Sequence, residues 1–597
     1  MRKAMPAGGY RESLARARAL GLILTAIILS GCATYGQEVG EALTLADAGY
    51  YEAAQEGLEQ VLDADGNDRL LYHLERGAVA HLAGDFEQSI VLLAEAEMIG
   101  EDLYTRYFRD GLRSAMSNPR NAPYRGTVYE LAYIHYYQAL NFAALAQASD
   151  NWRDRRDHLD SALVETRKLD ARLHELSILE GSYEEVSEGG RRNTIMSSLL
   201  VGFHGMSEEI ADRDSLRFRD AAWLRYLTGV LYEMAGELDN ARIAYTQAAQ
   251  IYEDGYAAQY LLGEDFLRQA WFDAYRLQHR TDGWRGREDE ARQRIGADGV
   301  ERISNSSGEE AHLLVIQHVD RLPPRGELNL IMYADPRRRS ITLQPWTGGT
   351  HDERLAQSAW FQTMYADTGP LAMMVHYSQG GLEGAFRGVF EKSFYVGPLW
   401  GQLESWGIIR ALQGGVRVTV PYPGPPRPEV SPSFLEIDGQ REVLARADNL
   451  TMMAYQDMLL SAGDELRREV ARRLLQNALA ELAAQEMEER GGLLGQLGGL
   501  AARTGTAAAS RADTRAWQTL PAEVRVARIP VEPGTSRVRL RQGEFLGGEK
   551  GLAPAVEVSL EPGEIRLLMS RRLSNPPSIE LPGDSEGAPR LEVLTLN

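Results

Sequence analysis

The first strong signal along the chain is an apolar block, Ala19–Leu29, set behind a basic head of Arg2, Lys3, Arg11, Arg16 and Arg18. The block is about half the ~20 residues that a bilayer-spanning helix requires. From residue 41 onward apolar positions recur at three- and four-residue spacing, the period of a helix with one buried face. Tyr129, Ala132, Tyr133, Tyr136, Tyr137 and Leu140 keep that spacing, and Arg156–Leu169 follows as a second helix after a polar connection. Past the polar stretch Ser304–Gly308 the pattern turns strand-like, in His312–Val319, Leu328–Tyr333 and Val416–Val420. Ser433–Ala445 predicts a hairpin around Asp438-Gly439. Asp457–Glu488 predicts a long amphipathic helix, and Gly491–Ala509 a glycine- and alanine-rich loop or packing element. Glu523–Ile529, Arg537–Leu540, Val556–Leu560 and Ile565–Ser570 alternate as strands between Pro-Gly turns.

The apolar block ends in Leu29, Ser30, Gly31 and Cys32, the sole cysteine. Basic, apolar and small residues in that order form a secretory signal, and the last four resemble the bacterial lipoprotein lipobox. That resemblance implies that Cys32 is acylated and becomes the mature N-terminus. Ala33 and Thr34 follow it where an aspartate would favour the inner membrane, so the implied address is the outer membrane, facing the periplasm.

Internal repetition organises the N-terminal half. Ala48–Ala54, Ala83–Ser89 and Ala235–Ala241 each open on Ala-Gly, continue with an aromatic residue or leucine, and place a small residue three positions on. The first two glycines are 35 residues apart, and the segments resemble tetratricopeptide repeats of 34 residues. Gly77 and Gly229 stand where that pattern has a small residue, with Leu93 and Tyr245 to fill the seam. A solenoid of this kind is expected over residues 41–290, interrupted by segments 98–125 and 170–218. Stacked helix pairs expose a concave wall, and the repeat pattern puts Leu71, Leu74, Ala78 and His81 on it, with Trp223, Tyr226, Val230 and Glu233. The same spacing is also that of ordinary core, which is its commoner use.

The resulting expectation is an α+β chain. It comprises a signal peptide (1–31), a tether (32–40), the TPR-like α-solenoid (41–290), a β-rich region (305–445), a helical insertion with the Gly/Ala-rich stretch (446–510) and a C-terminal β module (511–597).

Ala512–Ala522 (ADTRAWQTLPA), the Tyr129–Arg167 helix pair and the Val416–Pro428 strand and proline run are similar to an uncharacterised family of bacterial outer-membrane lipoproteins with tetratricopeptide-like N-terminal halves. No reaction is assigned to that family. Its genes lie beside those of lipoproteins that activate peptidoglycan synthases, which implies a role in cell-envelope assembly.

Charge narrows the partners. The chain carries −21, and removing residues 1–31 takes away five positive charges and one negative, leaving −25. Such a surface repels nucleic acid and anionic lipid headgroups. Candidate chemistry is sparse. His312 and His318 are ~20 Å apart along a strand, and His73 and His81 about 12 Å apart along a helix, too far in each case to share a metal. HExxH, SxxK and Walker A patterns are missing from the sequence. His376–Gly380 lacks the leading glycine of a nucleophile elbow. The sequence therefore reads as a lipid-anchored periplasmic protein–protein interaction scaffold, with envelope proteins or peptides as partners and the membrane reached through Cys32. Neither enzyme activity, cofactor nor metal is expected. A structural subunit of an envelope or secretion complex is the alternative, and a cell-wall-active hydrolase stands behind it.

Overall fold

The computed structural model describes residues 34–116, 119–179, 221–306, 308–365, 391–425, 430–489, 511–542 and 555–576. The predicted signal, Leu29–Gly31, Cys32, His376–Gly380 and the Gly/Ala stretch 491–509 lie outside these residues. The chain is mixed α/β, with an N-terminal helical region and C-terminal sheets.

A short helix α1 (Tyr35–Glu38) leads into consecutive helix hairpins. They are α2 (Gly40–Asp47) with α3 (Tyr51–Val61), α4 (Arg69–Ala83) with α5 (Phe86–Met116), α6 (Val128–Ala148) with α7 (Trp152–Leu179), α8 (Ala222–Met234) with α9 (Leu238–Ile251), and α10 (Asp265–Asp282) with α11 (Glu288–Asn305). Each helix packs on the next. The predicted glycine turns are present: Gly84 at φ +79° and Gly236 at φ +78° occupy the left-handed region that only glycine adopts without strain. The predicted close approaches are present too. A Cβ on Gly77 would come within 2.7 Å of Leu93, and one on Gly229 within 2.6 Å of Tyr245.

Three expectations change here. Segments 98–125 and 170–218 do not simply interrupt the array, because α5 continues to Met116 and α7 to Leu179. The connection between α6 and α7 is only residues 149–151, since the Asn151 side chain accepts the backbone N–H groups of Arg153 and Asp154 and starts α7 at once. The tether is shorter than 32–40, because Tyr35, Val39, Ala42 and Leu43 are already buried in the body.

The strands are β1 (Ala311–Val319), β2 (Arg325–Asp335), β3 (Ser340–Trp346), β4 (Lys392–Tyr395), β5 (Val416–Pro423), β6 (Ser433–Ile437), β7 (Gln440–Val443), β8 (Ala445–Asp448), β9 (Glu523–Val531), β10 (Gly534–Gln542), β11 (Val556–Leu560) and β12 (Ile565–Arg572). Helices α12 (His351–Met364), α13 (Trp400–Ser405), α14 (Ile408–Leu412) and α15 (Leu450–Glu489) fall between them.

One sheet has the order β12-β1-β9-β8 and a second the order β11-β10-β6-β7. The two stack face to face over Leu313, Val315, Leu435, Ile437, Ile529, Leu540 and Leu568. The opposite face of the first sheet, with Leu314, Ile316, Val524, Val526 and Leu567, joins the core of the helix array. The molecule is thus layered as helices, sheet, sheet, and all nine residues of β1 are buried, as expected of a strand covered on both faces. The third sheet, β4-β3-β2-β5, has its own core with α12–α15.

This topology revises the domain boundaries read from sequence. The β-rich region and the C-terminal module form one sandwich: β1 pairs antiparallel with β9 and parallel with β12, and β6 pairs with β10. A boundary at 445/446 would also fall inside β8, after its first residue, and β8 is the neighbour of β9.

Candidate functional site

The inner wall of the helix array is where the sequence placed a partner groove, and the structure shows it filled. Leu71, Leu74, Ala78, Trp223, Tyr226 and Val230 are completely buried and His81 nearly so; the Glu233 side chain is 5% exposed. The expectation of an open wall is corrected: the covering layer is the chain's own first sheet, together with the segment that leads into it.

That segment, residues 511–522, lies across α4 and α6 without regular secondary structure and turns at Gln518–Leu520. Glu75, on α4, accepts the Gln518 N–H at 2.7 Å, the Thr519 N–H at 3.0 Å and the Tyr35 hydroxyl at 3.0 Å. Glu130, on α6, accepts the Trp517 N–H at 2.7 Å, the Thr127 N–H and the Tyr124 hydroxyl. Two buried carboxylates therefore hold consecutive backbone donors of one peptide. Burial pushes Glu75 above the usual carboxylate range, and the donated hydrogen bonds pull it back in part. The Trp517 ring is fully buried against Tyr137, centroids 5.6 Å apart, and its Nε1–H donates to Thr519 Oγ1. Arg515 reaches across to donate to Asp68 and to the carbonyls of Asn67 and Ala122, while Asp513 braces its guanidinium from the same segment. Thr514 Oγ1 accepts the Tyr35 N–H at 3.0 Å.

Two further locks tie the wall to the sheet. At one, Arg528 on β9 donates to Glu233 and to the Tyr245 hydroxyl, and lies 3.3 Å from Asp273, which also accepts from Tyr226 and Arg276. Burial alone would raise Glu233, but the guanidiniums of Arg276 and Arg528 outweigh it and hold the carboxyl well below its ordinary range. His312 faces the same cluster and is pushed far down by burial and by Arg528. At the other lock, Tyr133 and Tyr256 donate to opposite oxygens of Asp448, whose pKa burial pushes up to about 6. Between them His318 accepts from or donates to Tyr136 at 2.8 Å, and His81 pairs with Asn141. Burial lowers these histidines to about 3 and about 4 respectively, so both are neutral near pH 7.

Two other places gather polar groups. Glu97, His135 and Glu165, from α5, α6 and α7, bring one ligand atom each within 4.8 Å of one another. The Lys168 ammonium sits 3.1 Å from Glu97 and 3.0 Å from Glu165, so the cluster already holds a cation from its own chain. A cavity of about 580 Å³ opens between α10, α11 and the β7–β9 region, walled by Arg268, Arg302, Asp298 and Glu442; its lining contains no serine, cysteine or histidine. Sequence reasoning missed Glu75, Glu130, Asp273 and Arg528. An acidic residue on an amphipathic helix ordinarily marks the solvated face, and nothing in the local pattern distinguishes these. No known protein family, curated protein or solved structure matches this chain.

Proposed function

We propose that this chain is a lipid-anchored, periplasm-facing scaffold of cell-envelope assembly, built on a tetratricopeptide-like helix array whose inner wall is occupied by the chain's own C-terminal half. The observation that carries this reading is the grip of Glu75 and Glu130 on the backbone of Trp517–Thr519. Holding a turn of chain by its peptide groups is the chemistry of a protein-binding surface, and it supports an interaction role over a catalytic one. Because that wall is filled in cis, partners meet the outer surfaces of the array and of the third sheet. Acylation at Cys32, implied by the lipobox, keeps the scaffold at the membrane.

The test is chemical crosslinking of intact envelopes, with affinity purification of the chain and of a Cys32→Ser variant. A defined envelope partner captured by the acylated chain and lost or sharply reduced in the variant supports the reading. Release of soluble muropeptides from purified sacculi by the isolated protein would overturn it in favour of a hydrolase.

A further inference from the structure

We infer that the bilayer itself covers one rim of this protein, the rim around Thr34, because the lipid anchor has almost no linker. The inference rests on the acylated Cys32 proposed above and adds to it an orientation.

The fold begins immediately after the anchor. The Thr34 N–H donates to Gln37 Oε1 at the start of α1. Tyr35 is wholly buried, with its N–H on Thr514 and its hydroxyl on Glu75. Gly36 packs so closely that a Cβ there would come within 2.9 Å of both Pro324 and Gln518. Three residue steps separate Tyr35 from Cys32, which reach at most about 11 Å fully extended. A compact body of this length has a radius of gyration on the order of 25 Å. A flexible linker of twenty residues would average about 25 Å end to end, enough for the body to tumble clear of the lipid. The linker present here is shorter than the body's own radius, so an acyl group buried in the leaflet draws the rim to headgroup depth.

The rim tolerates that position. Although the chain as a whole is strongly acidic, Arg120, Arg511 and Arg515 stand here against Glu38, Asp68 and Asp513. Arg120 bridges Glu38 and Asp68, and Arg515 bridges Asp68 and Asp513. Arg511 is exposed. Paired charges and an outlying arginine are not repelled by phosphate headgroups as an acidic face would be. The exposed start of the segment at Arg511 therefore lies beside the lipid, and the α10–α11 hairpin is the last of the array in chain order.

The experiment uses the acylated full chain in vesicles of phosphatidylethanolamine and phosphatidylglycerol that carry a spin-labelled headgroup lipid. Since Cys32 is the only cysteine and is blocked by acylation, a fluorophore can be placed on Asn121→Cys, Arg511→Cys or Asp289→Cys alone. Quenching at 121 and 511 is expected to exceed that at 289 several-fold, and insertion of twenty Gly/Ser residues between Ala33 and Thr34 is expected to erase the difference. Equal quenching at all three sites, with acylation verified by intact mass, would overturn the orientation while leaving the anchor intact. Persistence of the difference after the insertion would also overturn it, because the short linker would then not be its cause. A free Cys32 thiol in the mass spectrum would remove the anchor itself and the inference with it.

Discussion

Glu75 and Glu130 turn their carboxylates toward peptide nitrogens rather than toward cations, and each accepts three hydrogen bonds in a buried setting. Bonds to a charged acceptor contribute roughly 1.5–3 kcal/mol each. Glu75→Gln keeps the shape, loses the charge and turns one acceptor into a donor. It is expected to lower unfolding stability by at least about 2 kcal/mol, read as a shift in urea midpoint. An unchanged midpoint would mean that the segment is not held by this residue. The buried histidines make a second prediction at this scale. His81 has a folded pKa of about 4 and His318 of about 3, both below the ordinary 6.5. The unfolded chain therefore binds protons first, and their stabilisation, complete above pH 6.5, is lost as pH falls toward 4. For His81 the loss is on the order of 3 kcal/mol. Asp448 has the opposite sign, because its pKa is raised from 3.8 to about 6: its contribution is full below pH 3.8 and lost as pH rises through 6. Urea unfolding at a series of pH values should show a His81→Gln variant with a flatter decline below pH 6.5 than the parent. Of these residues only His81 was legible beforehand as part of the inner wall, because it keeps the helical spacing of Leu71, Leu74 and Ala78. Glu75 was not, because helical periodicity reports which residues are apolar and is silent about what a charged one will meet.

At the level of elements, the glycine seams separate two physical roles that look alike in sequence. Gly229 lies 2.6 Å short of Tyr245 for an added Cβ, and Tyr245 is fixed by Glu233 and Arg528. Gly229→Ala should overpack the seam and lower stability by about 1–3 kcal/mol. Gly40 opens α2 with nothing within 4 Å, so Gly40→Ala should be neutral or stabilising by up to about 1 kcal/mol. Thermal melts of the pair compare the two directly, and equal effects would refute the seam. The hairpins and their turns were readable because glycine, aromatic and small residues keep fixed offsets. The occupant of the wall was not readable, since Trp223 and Tyr226 show the same spacing whether they face solvent, a partner or a sheet. His312–Val319 was recognised as a strand, yet its burial on both faces depends on layers encoded hundreds of residues away.

For the whole molecule, the three layers imply that neither half is complete alone. Cutting the chain within residues 491–509 should yield two pieces that co-purify when expressed together, because β9 and β12 of the second piece flank β1 of the first. Expressed apart, each should be insoluble or unfolded by circular dichroism; two independently folded fragments would contradict the layered arrangement. Composition and periodicity pointed correctly to helices followed by sheets, while the boundaries at 445 and 511 failed because strand partners are chosen by geometry across the chain rather than by neighbourhood along it.

The parallel pairing of β1 with β12 also carries a consequence in time. Ile565, the partner of His312, lies some 250 residues further along the chain, so on the export route proposed above the N-terminal half emerges well before it. Until that strand follows, Trp223, Tyr226, Leu71 and their neighbours have no lid, and they face water as a broad oily trough. Biogenesis of this chain therefore calls for a holdase that shields the trough until the final strand arrives.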